Sequence, residues 1–446
     1  MQSFGKTGLV ILVFGLAWCG HTLPVMAQSD ASKTAPPTAA NPAAKRHCQS
    51  LRLAAELADG LDLSDPLAAM LWAEIGKCQA RSGDVEATRR RLQVKEPANA
   101  QALLIMARAE IGVALAKALA ADDRLKDAEQ AIQQIPSYLS DQRCIAFADV
   151  AHVCAAKGHM EDANRLWDLA ERAIADEQNV KLRAKSEVVI IRSLADAGRL
   201  DDAKKRAASL EAKSDDRRGW EPVAEKMALD GDSGTAKKII ESKLTGLNPE
   251  LHQFIGRVAP AGDIAAARTA LRQMDDPAMA ATACHVLAVA MAIPAYKDLA
   301  VMQLKESWTY MDKAKPDPTQ TGLILLSGIG PNAVLAGVKE TVPVCEALAK
   351  KFPPHLGAEA YRRLATHCPP KAKEEAASYL VMADRLAEMI RDPIDQTTCL
   401  QKIARTRSAF LGEDDALRLA SQIKGTLNRG YALLGAAEGQ LFPESK

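Results

Sequence analysis

From residue 48 onward, apolar side chains recur at three- and four-residue intervals, and charged side chains fill the positions between them. That spacing places the apolar residues on one face of a helix. The alternating pattern of a half-buried strand is missing. The one short apolar run, "TGLILLSGIG" (321–330), fits a buried helix and its end as well as it fits a strand. The helical runs are broken at intervals by one corner pattern. "AKGHMEDANRLWDLAERA" carries Gly158, Met160, Ala163 and Trp167. "DAGRLDDAKKRAASLEA" carries Gly198, Leu200, Ala203 and Ala207. Gly231 with Ala236 and Ile240, and Gly262 with Ala267 and Leu271, repeat it, and Asp123 stands in the glycine's place before Leu125, Ala128 and Ile132.

Each corner has a physical reading. Glycine takes the left-handed conformation that closes a first helix. Acidic residues just after it suit the positive N-terminus of a second helix. The alanine five positions on lets the two axes approach closely. The glycines 158, 198, 231 and 262 are separated by 40, 33 and 31 residues, the period of a helical-hairpin repeat. Beyond 277, prolines take over the punctuation. Helices are expected at 278–291, 297–311, 332–351, 359–367, 371–390, 396–410, 414–423 and 428–440, with the polar end "LFPESK" suiting a capping helix. "KAKPDPTQTG" (313–322) reads as a break between a repeat region at 47–312 and its continuation at 313–446.

The stretch "KGHMEDANRLWDLAERA", with Phe147, Val150 and Ala151 upstream, resembles a tetratricopeptide repeat: Gly158, Met160, Ala163, Trp167 and Ala170 stand where that family places its glycine, apolar and alanine positions. The resemblance covers 143–175 and, in part, 176–275. It implies an all-α, right-handed helical-hairpin solenoid of roughly ten helix pairs, with a long surface for protein or peptide partners. First helices such as 143–157 and 183–197 are expected to line that surface.

The first 46 residues read differently. Lys6, an apolar run from Gly8 to Trp18 and the small-residue site Val25-Met26-Ala27 form a signal peptide at 1–27. Residues 28–46, rich in Ala, Pro, Ser and Thr, form a flexible linker. A periplasmic or extracellular location follows. Lys6 is the one charged residue in 1–27, so the chain beyond it sets 56 cationic against 56 acidic residues, which argues against a nucleic-acid partner. The nine cysteines become eight without Cys19, too sparse for a disulfide scaffold. Cys48 and Cys78 flank the turn at 59–66 at similar distances and are the expected bridged pair.

Sequence motifs for chemistry are thin. No His-Glu-x-x-His, paired metal-spaced cysteines, P-loop or nucleophile elbow occurs. His355, Glu359 and His367 are too few and too spread for a metal site, and Cys284-His285 diverge around a helix. "TRRRL" (88–92) reads as a solvated helix face, and "RRGWEP" (217–222) as a helix start stapled by Trp220. No catalytic residue, cofactor or metal is expected. The function expected is an exported, non-catalytic protein-interaction scaffold. An α-barrel enzyme acting on polysaccharide, or a structural component of an envelope or extracellular assembly, would use the same fold.

Overall fold

The hairpin corners do what their residue types allow. In the computed structural model, which describes residues 48–94, 101–293 and 296–442, Gly158, Gly198, Gly231 and Gly262 all have φ between 79° and 103°. Nothing lies within 4 Å of where their β-carbons would be, so conformation alone selects glycine there. Asp123 adopts the same left-handed geometry, φ 61°. The corner alanines Ala163, Ala203, Ala236 and Ala267 are fully buried.

The described residues are all-α, without a strand, and belong to one compact unit. After a short helix α1 (Gln49–Ala58) come α2 (Pro66–Arg81) with α3 (Val85–Leu92), and α4 (Gln101–Ala121) with α5 (Leu125–Gln133). Then follow α6 (Ser140–Ala156) with α7 (Met160–Ala173), and α8 (Val180–Asp196) with α9 (Leu200–Ser214). The next pair is α10 (Trp220–Leu229) with α11 (Ser233–Ile239), which runs on into a π-turn at Ile240–Leu244. Next are α12 (Asn248–Val258) with α13 (Ile264–Arg272), and α14 (Pro277–Ala290) with α15 (Lys297–Ala314). A broken helix, α16 (Pro318–Ser327) and α17 (Ile329–Leu335), pairs with α18 (Val338–Lys351). Finally α19 (Pro354–Thr366) pairs with α20 (Lys373–Glu388), α21 (Pro393–Leu411) with α22 (Glu413–Gln422), and α23 (Thr426–Leu441) ends the described chain.

The run 321–330 is helical. Asp317 and Gln320 form a capping box at the start of α16, and the helix is interrupted at Gly328. The single helix expected at 332–351 is two, because Gly337 takes φ 122° between α17 and α18. The signal peptide and the linker lie outside the described residues.

First helices pack side by side from hairpin to hairpin, whereas the backbones of most second helices approach their own partner and the next first helix more closely than one another. First helices therefore form the inner layer and second helices the splayed outer one. Trp167 shows how hairpins are tied together. Its indole N–H donates to Ser193 Oγ at 2.8 Å, and that hydroxyl donates to Ala148 O at 2.7 Å, joining α7, α8 and α6.

The circuit closes on itself. α1 packs on α23 as a second helix packs on its own first helix, and α23 also packs on α2. Leu51, Ala54, Leu71, Ile75, Tyr431, Leu434 and Leu441 share one buried cluster there. Tyr431 Oη donates to Leu67 O at 3.0 Å, and Glu413 accepts from both N and Oγ of Ser50, at 2.8 and 2.7 Å. The chain thus forms ten consecutive hairpins and an eleventh pair assembled from its two ends. The Tyr431–Ala437 stretch of α23 is buried. The break at 313–322 separates α15 from α16 inside the same unit.

Candidate functional site

Three kinds of charged or polar assembly stand out. The first is on the inner layer, where ion pairs bridge successive first helices at the repeat spacing. Lys77 on α2 meets Glu110 on α4 at 2.9 Å, and Lys117 on α4 meets Asp149 on α6 at 3.4 Å. Around α10 the pattern deepens. Glu221 and Glu225, one turn apart and both buried, share Arg192 from α8, and Glu225 also accepts from Arg257 of α12 at 2.9 Å. Burial, opposed by Arg192 and reinforced by Glu225, pushes the Glu221 carboxyl up, and its Oε1 has no partner. Asp196, raised by burial, faces the same group. Guanidiniums from the first helices on either side reach this pair, so it bolts three hairpins together. The ranges 143–157 and 183–197 do supply parts of it, Asp149 and Arg192.

The second assembly surrounds the α16–α17 break. His285 of α14 is buried with Nδ1 2.6 Å from Ser327 Oγ and Nε2 3.0 Å from Ser307 Oγ. A β-carbon at Gly328 would sit 3.3 Å from this ring, and one at Gly330 would sit 2.9 Å from His367 Nε2. The two glycines of "SGIGPNAV" are therefore spaces for histidine rings. Burial holds His285 down at about 4, and burial with Arg363 and Arg362 nearby does the same for His367. Beside them Glu359, buried but gripped by Arg362 and Arg363, is held far below the usual carboxylate range. His355 instead meets Asp395 at 3.3 Å, so His355, Glu359 and His367 do not converge.

The sign of the pH effect follows. Between pH 6.5 and about 4 the unfolded chain binds protons at His285 and His367 that the folded chain refuses, so stability falls across that window, by up to about 3 kcal/mol per histidine. Urea midpoints at pH 7 and pH 4.5 are expected to differ strongly in the natural chain and less in His367→Gln.

The third assembly is on the outer layer. Second helices are stapled by side chains one repeat apart: Arg89–Asp127, Arg165–Glu129 at 2.6 Å, Arg206–Glu171 at 2.6 Å and Lys243–Glu211 at 2.9 Å. The groove of about 910 Å³ between α7 and α9 is crossed by two such ties, Arg206–Glu171 and Arg199–Asn164. The series ends at Lys243–Glu211, and farther on, between α13 and α15, a groove of about 380 Å³ opens between Arg268 and the residues of α15. α15 mixes polar and apolar residues on both of its sides. It buries Gln303 and Ser307, 3% and 2% exposed, and shows solvent Met302 at 62%, with Leu299 and Trp308.

The remaining candidates resolve into structure. Arg91 of the "TRRRL" run is buried over Trp72, donates to Gln79 and pairs with Asp59. Trp220 donates to Glu211 at 2.9 Å at the start of α10, under Lys243. Cys284 accepts from Gln303 and is buried away from the His285 hydrogen bonds. Cys48 and Cys78, the expected pair, stand near one another. Both are free thiols in the seam cluster; Cys48 faces Glu413 at 3.6 Å, and burial, with Glu413 adding to it, pushes its thiol up to about 11. Among the described residues no cluster could hold a metal, and no helix is long and apolar enough to cross a membrane.

Comparison of the chain with family models, with curated proteins and with solved structures finds no match. The tetratricopeptide resemblance thus rests on the repeat residues alone, and what stands is the all-α hairpin architecture. The ion-pair belt had one trace in the sequence. Lys77 and Glu110, Arg192 and Glu225, and Glu225 and Arg257 are 33, 33 and 32 residues apart, one repeat length. The exposure of Leu299 and Met302 had none, because which side of α15 faces inward is set by α14 and α17.

Proposed function

We propose that this protein is an exported, non-catalytic interaction scaffold, a tetratricopeptide-like array of hairpins that binds a polypeptide partner on its outer layer. The observation that carries the reading is α15. A helix that buries Gln303 and Ser307 and exposes Leu299, Met302 and Trp308 keeps apolar area in water where its own chain could have covered it. The inner ion pairs support a scaffold in another way: they are spent on holding neighbouring hairpins, and Glu221–Glu225 is clamped by arginines rather than left open to a substrate. The signal peptide read at 1–27 supports work outside the cytoplasm.

A photoreactive side chain at Met302, introduced in the cell that makes the protein, is expected to crosslink to a polypeptide. The same probe at Lys205, on the α7–α9 groove, serves as the comparison. Absence of any crosslinked polypeptide, together with polysaccharide turnover by the purified protein, would overturn the scaffold reading.

A further inference from the structure

The α13–α15 groove combines exposed apolar side chains with cations that no ion pair holds. Its floor is Met291 and Gln303, its lips are Leu299 and Met302, and its rim carries Arg268, Lys305 and Glu306. Glu306 is engaged from below: Gln303 donates to its Oε2 at 2.8 Å and also reaches Cys284 Sγ at 3.1 Å. Arg268 and Lys305 have no ion-pair partner among the described residues, and Arg272, next along α13, donates only to Thr269 Oγ1 of its own helix. On the earlier outer layer Arg89, Arg165, Arg206 and Lys243 are each matched by an acid one repeat away. Arg268 and Lys305 have no such acid, and an exposed methionine and leucine line the same groove.

Resting on the interaction reading above, we propose that this groove receives an acidic polypeptide segment. One apolar side chain of that segment seats between Leu299 and Met302, and carboxylates on either side of it face Arg268 and Lys305. Complementary charge selects the partner and sets its register, while the apolar anchor displaces water from the lips of the groove. The chain's own first 47 residues do not fit: they carry Lys6, Lys33, Lys45 and Arg46 against a single acid, Asp30.

The test uses the full purified chain and three short fluorescent peptides, read by anisotropy at low salt. One is rich in Asp and Glu around a central Phe. The second has that Phe replaced by Ser, and the third has its acids replaced by Lys. The acidic Phe peptide is expected to bind, and the other two to bind at least about tenfold more weakly. Met302→Glu and the double variant Arg268→Glu with Lys305→Glu are expected to lose binding of the acidic peptide by a similar factor. The double variant should gain the basic one. All three side chains are exposed, so folding is not at stake, and circular dichroism checks it.

Equal binding of acidic and basic peptides, or acidic-peptide binding unchanged in Met302→Glu, overturns the proposal. So does concentration-dependent self-association of the natural chain that Met302→Glu abolishes, which would give the groove to a second copy. A Met302 crosslink to a partner whose contacting segment is not acidic sinks this inference and leaves the scaffold reading intact. Absence of any crosslinked polypeptide, together with polysaccharide turnover by the purified protein, removes both.

Discussion

Deleting Cys48–Ala58 lowers the stability of the whole unit, by about 3 kcal/mol or more, and strips hydrogen-exchange protection from α23 at the far end of the chain. The reason is the seam. α1 is ten residues long, too short to hold its own helix in water, so its order comes from packing. It covers α23 and α2 with Leu51, Ala54 and Ala58, and those helices bring Leu71, Ile75, Tyr431 and Leu434 to the same cluster. Removing it exposes several large side chains that are fully or nearly fully buried, at roughly 1.5–3 kcal/mol each, against the entropy regained by eleven residues. It also releases the two ends of a circuit whose hairpins otherwise brace one another. Ser50→Ala is the graded control. It deletes only the hydroxyl bonded to Glu413 and is expected to cost about 1 kcal/mol. Urea midpoints together with exchange rates on α23 decide the matter. If α23 amides stay protected in the deletion variant, the closure is not what holds them.

Gly435→Val abolishes the native fold or costs more than about 3 kcal/mol, whereas Gly158→Ala costs only about 1–2 kcal/mol, although both positions are glycine. The reasons differ. At Gly158 the backbone is left-handed and open, so a side chain meets conformational strain and nothing else. At Gly435 the backbone is helical, but α23 lies so close to α21 that a β-carbon would fall on the carbonyl oxygen of Gln401, and one at Gly439 on that of Arg405. A flexible side chain could move aside; a helix backbone with Ala404, Ala436 and Ala437 packed around it cannot. Denaturation curves of the two variants, measured side by side, should separate them clearly. Equal losses would mean that the α21–α23 approach is looser than these contacts require.

The inner and outer layers divide the work of the molecule. Inside, charges are consumed in bridging one hairpin to the next, with Arg192, Glu221, Glu225 and Arg257 as the extreme case. Outside, the same staple recurs from α3 to α11, and beyond it the groove of α13 and α15 leaves Leu299 and Met302 in water beside two cations that no ion pair holds.

Local rules were enough for the hairpin corners. A glycine, an acid, an apolar residue and an alanine at fixed offsets state a left-handed closure, a helix start and a close crossing, and each of these is decided within about ten residues. That is why Gly158, Gly198, Gly231 and Gly262, and even Asp123, could be placed from the sequence, along with the all-α class and the number of hairpins. What required the tertiary structure was everything joining residues far apart along the chain. Glu413 reaching Ser50, Tyr431 reaching Leu67 and α1 completing a pair with α23 depend on how small rotations add up over ten hairpins, and no local spacing records that sum. The same holds for the glycines at 328, 330 and 435. Their sequence neighbours suggest turns or helix breaks, but each is glycine because a ring or a backbone from another hairpin occupies the space its side chain would need.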